Sequence, residues 1–180
     1  MNYYYDTEFL EGTQKKWFGK TKPTIDLISI GIVSEDGREY YAISKDFNLK
    51  EAWNRYDEKI EQVSGDIRNH FPTGITKKVY WIRENVLKPI FDELILKYAL
   101  IEEKAFQLRT TSGYNPPYKF NYKNIKNLIN LFGKSNKEIA EEIKMFIGTK
   151  ETVENYEEVK HLLNPQFYGY YSAYDHVALC

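Results

Sequence analysis

The chain has 180 residues, 42% hydrophobic and 16% aromatic, with 16 tyrosines and a formal net charge of −1. That length and apolar content suit one domain with room for an inserted subdomain, and the near-neutral charge excludes a global field that would draw in a polyanion. A single cysteine, Cys180, excludes an internal disulfide framework. It fits a cytoplasmic setting, as does an aromatic-then-acidic start unlike a secretory leader, and no apolar run approaches the ~20 residues of a membrane helix.

Tyr3-Tyr4-Tyr5-Asp6-Thr7-Glu8-Phe9-Leu10 reads as a strand, and its aromatic run is that of a central, covered one. Asp6 and Glu8 stand two apart, so their side chains leave the same face. No Lys or Arg lies between Tyr3 and Leu10. Like charges side by side repel, and a partly buried charge needs a partner. A divalent cation, which takes oxygen ligands, meets that need. The plain alternative is an edge strand with its acids in water.

Glu11 to Thr24 reads as a loop, with Gly12, Gly19 and Pro23. Lys15, Lys16, Lys20 and Lys22 surround Trp17 and Phe18 there. The lysines suit phosphates and Trp17 suits a base, although a solvated loop with an anchoring aromatic explains them equally. Ile25 to Glu35 is a continuous apolar run, expected as a strand covered on both faces. Glu35-Asp36-Gly37-Arg38 carries Asp-Gly hairpin chemistry, and Glu39 to Ser44 follows as a third strand. The opening is thus an antiparallel three-stranded meander.

Leu49 to Tyr56 suggests a short helix, and Gly65 to Gly74 looks irregular. Lys77 to Leu100 has helical spacing, with Pro89 marking a kink or a junction between two helices. Arg109 to Asn121 is turn-rich. Tyr114, Tyr118, Lys119 and Lys123 in this region are candidates for a second nucleic-acid contact. Ser135 to Glu138 forms a capping box, Ile139, Ile143, Phe146 and Ile147 mark an apolar face, and Gly148 stops the helix. Thr149 to Leu163 reads as another helix and Gln166 to Tyr171 as a fourth strand. Asp175 suits an N-cap for a helix starting at His176. The element order suggests an α/β fold, one domain over residues 1–180 with an insertion at about 65–130: a mixed sheet with flanking helices.

Asp175 is the natural third member of the acid set, because ligands gather at the carboxyl ends of strands in such sheets. If the fourth strand lies beside the first, three carboxylates converge. Such a set would hold two Mg²⁺ or Mn²⁺ ions ~3.5–4 Å apart, as in phosphodiester hydrolysis.

Four blocks carry a family resemblance: Tyr5 to Phe9, Ile25 to Val33, Glu35 to Ala42 and Ala173 to Cys180. In these the chain resembles the small bacterial and phage 3′–5′ exoribonucleases of the DEDD superfamily. The resemblance implies a ribonuclease H-like fold with the fourth strand parallel to the first, and RNA 3′ ends as substrate. Asp6 and Glu8 match the family's first motif and Asp175 its second, as catalytic residues and ligands of Mg²⁺ or Mn²⁺. Thr7, Phe9 and Tyr174 flank them and join Lys15, Lys16 and Trp17 as candidate substrate contacts. The family's third motif, a later His and Asp, has no match before Cys180. His176 belongs to the second motif, and His70 and His161 lack metal-ligand spacing. The chain is therefore expected to lack its C-terminal part and to be impaired alone. A binding module for RNA or nucleotide, or an interaction scaffold whose aromatics meet a partner, is the alternative; a homo-oligomer is compatible with each reading.

Overall fold

The computed structural model describes residues 1–15, 21–62, 74–108, 119–148 and 165–169. Contacts divide the chain into two compact units, Met1–Asn48 with Lys126–Cys180, and Leu49–Ile125.

The first unit is built on a four-stranded mixed sheet, in the order β3-β2-β1-β6. Its strands are β1 (Asn2–Lys15), β2 (Thr21–Ser34), β3 (Glu39–Ile43) and β6 (Gln166–Gly169). The meander β1-β2-β3 is antiparallel, and β6 runs parallel to β1 along Asn2–Tyr5. This is the mixed α/β sheet with flanking helices expected from sequence, and it is compatible with a ribonuclease H-like fold. The Asp36-Gly37 turn forms as expected, with Gly37 at φ +83°. Its partner Asp36 has a carboxyl held below the usual range, first by the Ser34 hydroxyl and then by Arg38.

β1 and β2 are longer than expected, which corrects the loop reading of Glu11 to Thr24. Gly12 pairs with Thr24, Thr13 with Pro23 and Lys15 with Thr21. Pro23 is compatible with a strand because β2 there runs beyond the end of β3, so no third strand needs its missing N–H. Gly12 fits a close approach, since a Cβ would lie 2.9 Å from Thr24 Oγ1.

One face of this sheet carries the core. Tyr3, Tyr5, Leu27, Ile30, Ile32 and Ala42 pack with Ile139 and Ile143 of α4 (Asn136–Ile147). Removing each such side chain from water contributes roughly 1.5–3 kcal/mol. α4 is held as its sequence predicts. The Ser135 side chain accepts from the Glu138 N–H, Glu138 reaches back to the Ser135 N–H, and Gly148 closes the helix at φ +70°. Tyr40 donates to Glu142 on α4 at 2.9 Å, and Lys134 donates to the same carboxylate at 2.7 Å.

The other face is open along part of its length, a correction to two expected coverings. Tyr4 on β1, Val33 on β2 and Tyr41 on β3 are all exposed. β2 is covered on both faces only in its middle, where Leu27, Ile28, Ser29 and Ile30 are all buried. Toward the turn burial alternates, with Ile32 and Ser34 buried and Val33 44% exposed.

The second unit contains α1 (Leu49–Asn54), a hairpin of β4 (Asp57–Gln62) and β5 (Gly74–Val79), and α2 (Lys88–Leu108). The hairpin corrects the helix expected from Lys77, since Lys77 to Val79 pair with Asp57 to Lys59. Ladder hydrogen bonds to a distant segment override weak helix propensity there. A π-helical turn, Arg83–Leu87, precedes α2, and Pro89 is the second residue of α2. Pro89 thus marks a change of helical register, as its missing N–H allows. Arg83 organises this unit. Its guanidinium lies 4.6 Å from the Trp53 ring and 3.8 Å from the Tyr80 ring, and its Nε donates to the Trp53 carbonyl at 2.8 Å.

α3 (Tyr122–Phe132) is a helix that the sequence pattern does not predict. Its Ile125, Leu128 and Ile129 are buried. The expected loop at Arg109 to Asn121 and helix at Thr149 to Leu163 fall wholly or mainly outside the described residues. No helix among the described residues is long and apolar enough to cross a membrane.

Candidate active site

β1 places the acid pair by its alternation. Tyr3, Tyr5 and Thr7 are buried on the face that α4 covers, and Tyr4 and Asp6 emerge on the open face. Glu8 follows Asp6 in phase, because the register with β2 holds from Tyr3 through Glu8 and shifts only between Glu8 and Phe9. A β-bulge immediately after the second acid ends the common register there and redirects the strand.

The cross-strand rows define the surroundings. Asp6 pairs with Gly31, and Gly31 with Tyr41; Tyr4 pairs with Val33, and Val33 with Glu39. Glu8 pairs with Ser29, and Ser29 with Ile43, both buried, so Glu8 is more enclosed than Asp6. Gly31 contributes no side chain to its row. A pocket of about 430 Å³ lies there, lined by Tyr4, Asp6, Gly31, Val33, Glu39 and Tyr41 among others. Its volume is that of a small-molecule or nucleotide site. Tyr168 stacks on Tyr4 at 5.5 Å between ring centroids and extends the aromatic surface to β6.

These pocket residues were missed by reasoning on the sequence. The signal was only partial for the β2–β3 half: counting outward from a two-residue Asp36-Gly37 turn gives Val33 opposite Tyr40, whereas Val33 pairs with Glu39 and Gly31 with Tyr41, because Ser34 and Arg38 bracket a three-residue loop. It was absent for β1, whose register depends on a hairpin read as a loop.

Of the other residues singled out, Thr7 is buried on the face opposite the acids, and Phe9 is half-buried just beyond the bulge. Lys15 is the last residue of β1, paired with Thr21. Lys16, Trp17, Tyr174 and Asp175 lie outside the described residues, as do Lys20 and His176. Among the described residues no group of three or more His, Cys, Asp or Glu could hold a metal ion. Asp6 and Glu8 are nevertheless hard oxygen donors of the type Mg²⁺ and Mn²⁺ take, on one face of one strand. β6 bears on the third acid. Its last residue, Gly169, pairs with Tyr5, so the strand points along β1 toward Asp6.

The sheet and its acid pair place the chain among mixed α/β proteins with carboxylates on the first strand. No protein-family model matches the chain. It is similar to two proteins named 3′–5′ exoribonuclease, from two strains of Mycobacterium tuberculosis. Each is 52% identical over 52 residues, 29% of this chain and 26% of the relative. The matched region thus spans about a quarter of those relatives' length.

Proposed function

We propose that the chain carries the catalytic site of a metal-dependent 3′–5′ exoribonuclease of the two-metal DEDD type. The observation that carries this reading is the common phase of Asp6 and Glu8 on β1, beside a parallel strand that points toward them. Its support from comparison is the 52-residue similarity to proteins named for that activity.

In this reading Asp6 and Glu8 hold divalent cations, Mg²⁺ or Mn²⁺, together with Asp175. Asp175 lies six positions beyond Gly169 in sequence, and six extended residues reach up to about 20 Å. When bound, such ions activate water and stabilise the leaving 3′ oxygen. The protein's own part is to position. β1 sets the spacing of the two carboxylates, about 6.6 Å between their Cα atoms for two extended residues. The buried Ser29 and Ile43 beside Glu8 limit water on that side. Tyr4, Tyr41 and Val33 offer the terminal nucleoside an aromatic and apolar surface beside Asp6.

The test uses a 5′-labelled single-stranded RNA with Mn²⁺. Slow stepwise shortening from the 3′ end is expected, since the His and Asp of the third motif have no match in this chain, and Asp6→Asn abolishes what remains. Intact RNA after incubation with the folded wild-type chain and either cation overturns the reading for this chain. RNA binding without cleavage would then favour a silent binding module.

A further inference from the structure

The polar face of α3 remains without a role in the site on β1. Residues 119–137 contain Lys119, Lys123, Lys126, Lys134 and Lys137 but no Asp or Glu, in a chain of net charge −1. Such a run departs from the mixed signs elsewhere, where lysines meet acids, as Lys88 meets Asp92 and Lys97 meets Glu93; within the run, Lys134 pairs with Glu142. Lys123 and Lys126 enter no ion pair with the described residues.

The helix fixes where these charges point. Ile125, Leu128 and Ile129 are buried, which anchors one side of α3. Lys123, Lys126, Asn127 and Asn130 are exposed at intervals of three and four, a single stripe on the other side. The stripe spans eight residues, about 10 Å along the axis at 1.5 Å rise per residue. Two cations followed by two neutral amide donors suit a polyanion's backbone. The amides add hydrogen bonds to phosphate or sugar oxygens without acceptor-only carboxylates nearby to repel them.

We propose that this stripe of α3 is a contact for the phosphodiester backbone of single-stranded RNA. The inference rests on the exoribonuclease reading for the identity of the polyanion, and it adds a backbone contact outside the acid-bearing strand. The stripe has no aromatic residue, so it holds backbone and does not read bases.

The test is fluorescence anisotropy of the full chain with a labelled 20-nucleotide single-stranded RNA, in EDTA to prevent cleavage, across a series of KCl concentrations. Lys123→Glu with Lys126→Glu should flatten the log–log salt slope by about 1.4, at ~0.7 per lost phosphate contact. Affinity at low salt should fall at least tenfold, while Lys123→Arg with Lys126→Arg preserves both. Equal slopes for wild type and the charge-reversed pair overturn the proposal. So does loss of binding to phosphatidylserine vesicles with RNA binding unchanged, which would assign the stripe to a membrane surface. Circular dichroism checks the fold, and Lys123→Gln with Lys126→Gln replaces the reversed pair if that misfolds. Cleavage is read separately with Mn²⁺. A chain that binds through these lysines but releases no nucleotide keeps this inference and loses the exonuclease reading. One that cleaves with an unchanged salt slope does the reverse.

Discussion

Asp6 faces Gly31 directly across the β1–β2 ladder. The first candidate metal ligand therefore has a neighbour with no side chain, and Tyr41 is the next residue in that row. A Cβ built on Gly31 would sit 3.9 Å from the Tyr41 ring, an ordinary contact, so the vacancy is set by size and not by backbone strain. Gly31→Ala should fold with unchanged or slightly higher thermal stability, since a residue compatible with its conformation gains about 0.4–1 kcal/mol from the unfolded state. Gly31→Leu should fill the pocket beside Asp6. It is expected to melt within a few degrees of wild type yet cleave RNA at least tenfold more slowly. Equal cleavage by the leucine variant would separate the pocket from the substrate.

Asp6→Asn and Glu8→Gln should each lower Mn²⁺-dependent cleavage at least ~100-fold, the scale at which a single catalytic group contributes. In EDTA Asp6→Asn should not destabilise the fold: it removes one of two like charges on the same face of β1, so the melting temperature without metal should hold or rise. Adding Mn²⁺ should raise the wild-type melting temperature more than that of either variant, as mass action requires for an ion that binds the native state. Identical Mn²⁺ shifts in all three proteins would remove the acid pair from the metal site.

Ser135→Ala should cost about 1 kcal/mol in urea unfolding, the ordinary effect of deleting an N-cap. The Glu138 carboxyl is held at about 2, by the Ser135 backbone N–H first, then the Ser135 hydroxyl and Lys45. A carboxyl depressed in the folded state stabilises above its unfolded value of about 4.5 and loses that contribution as pH falls toward 2. The fully exposed position limits the size of this effect, so the readout is the titration itself. NMR should show the Glu138 side chain ionising near 2 in wild type and higher in Ser135→Ala, but still below 4.5, because the backbone N–H that contributes most is kept.

The Tyr40 phenol should resist alkali. Burial raises it well above its ordinary 10, and the hydrogen bond to Glu142 adds to the shift. An acid whose folded pKa is raised contributes stability below the unfolded value, lost as pH climbs above 10. Ultraviolet titration of wild type and Tyr40→Phe should therefore give the same tyrosinate signal up to about pH 11, reflecting other tyrosines alone. Tyr40→Phe should also lose roughly 0.5–1.5 kcal/mol at neutral pH, the usual net value of one hydrogen bond. An early tyrosinate signal missing from the variant would show that the phenol is open to water.

Gly148→Ala should destabilise by about 1 kcal/mol, because the residue closes α4 at φ +70°. Its N–H donates to the Lys144 and Met145 carbonyls. Gly148→Asn, which tolerates that region better, should recover part of the loss in thermal melts.

Features decided within three or four residues were legible in the amino-acid order. The Ser135–Glu138 box, the Gly148 stop and the Asp36-Gly37 turn each depend on contacts that close locally, and all three formed. The common face of Asp6 and Glu8 was legible for the same reason, since strand alternation needs no distant partner. Tertiary structure decided what depends on a remote segment. β1 extends to Lys15 because β2 supplies hydrogen-bond partners for residues that look like loop in isolation. Lys77 to Val79 are strand because Asp57 to Lys59 lie beside them. The open side of β1, with the Tyr4–Asp6–Gly31–Tyr41 pocket, follows from α4 covering the opposite face more than a hundred residues along the chain. Burial is a property of what packs against a strand, and the strand's own residues do not contain it.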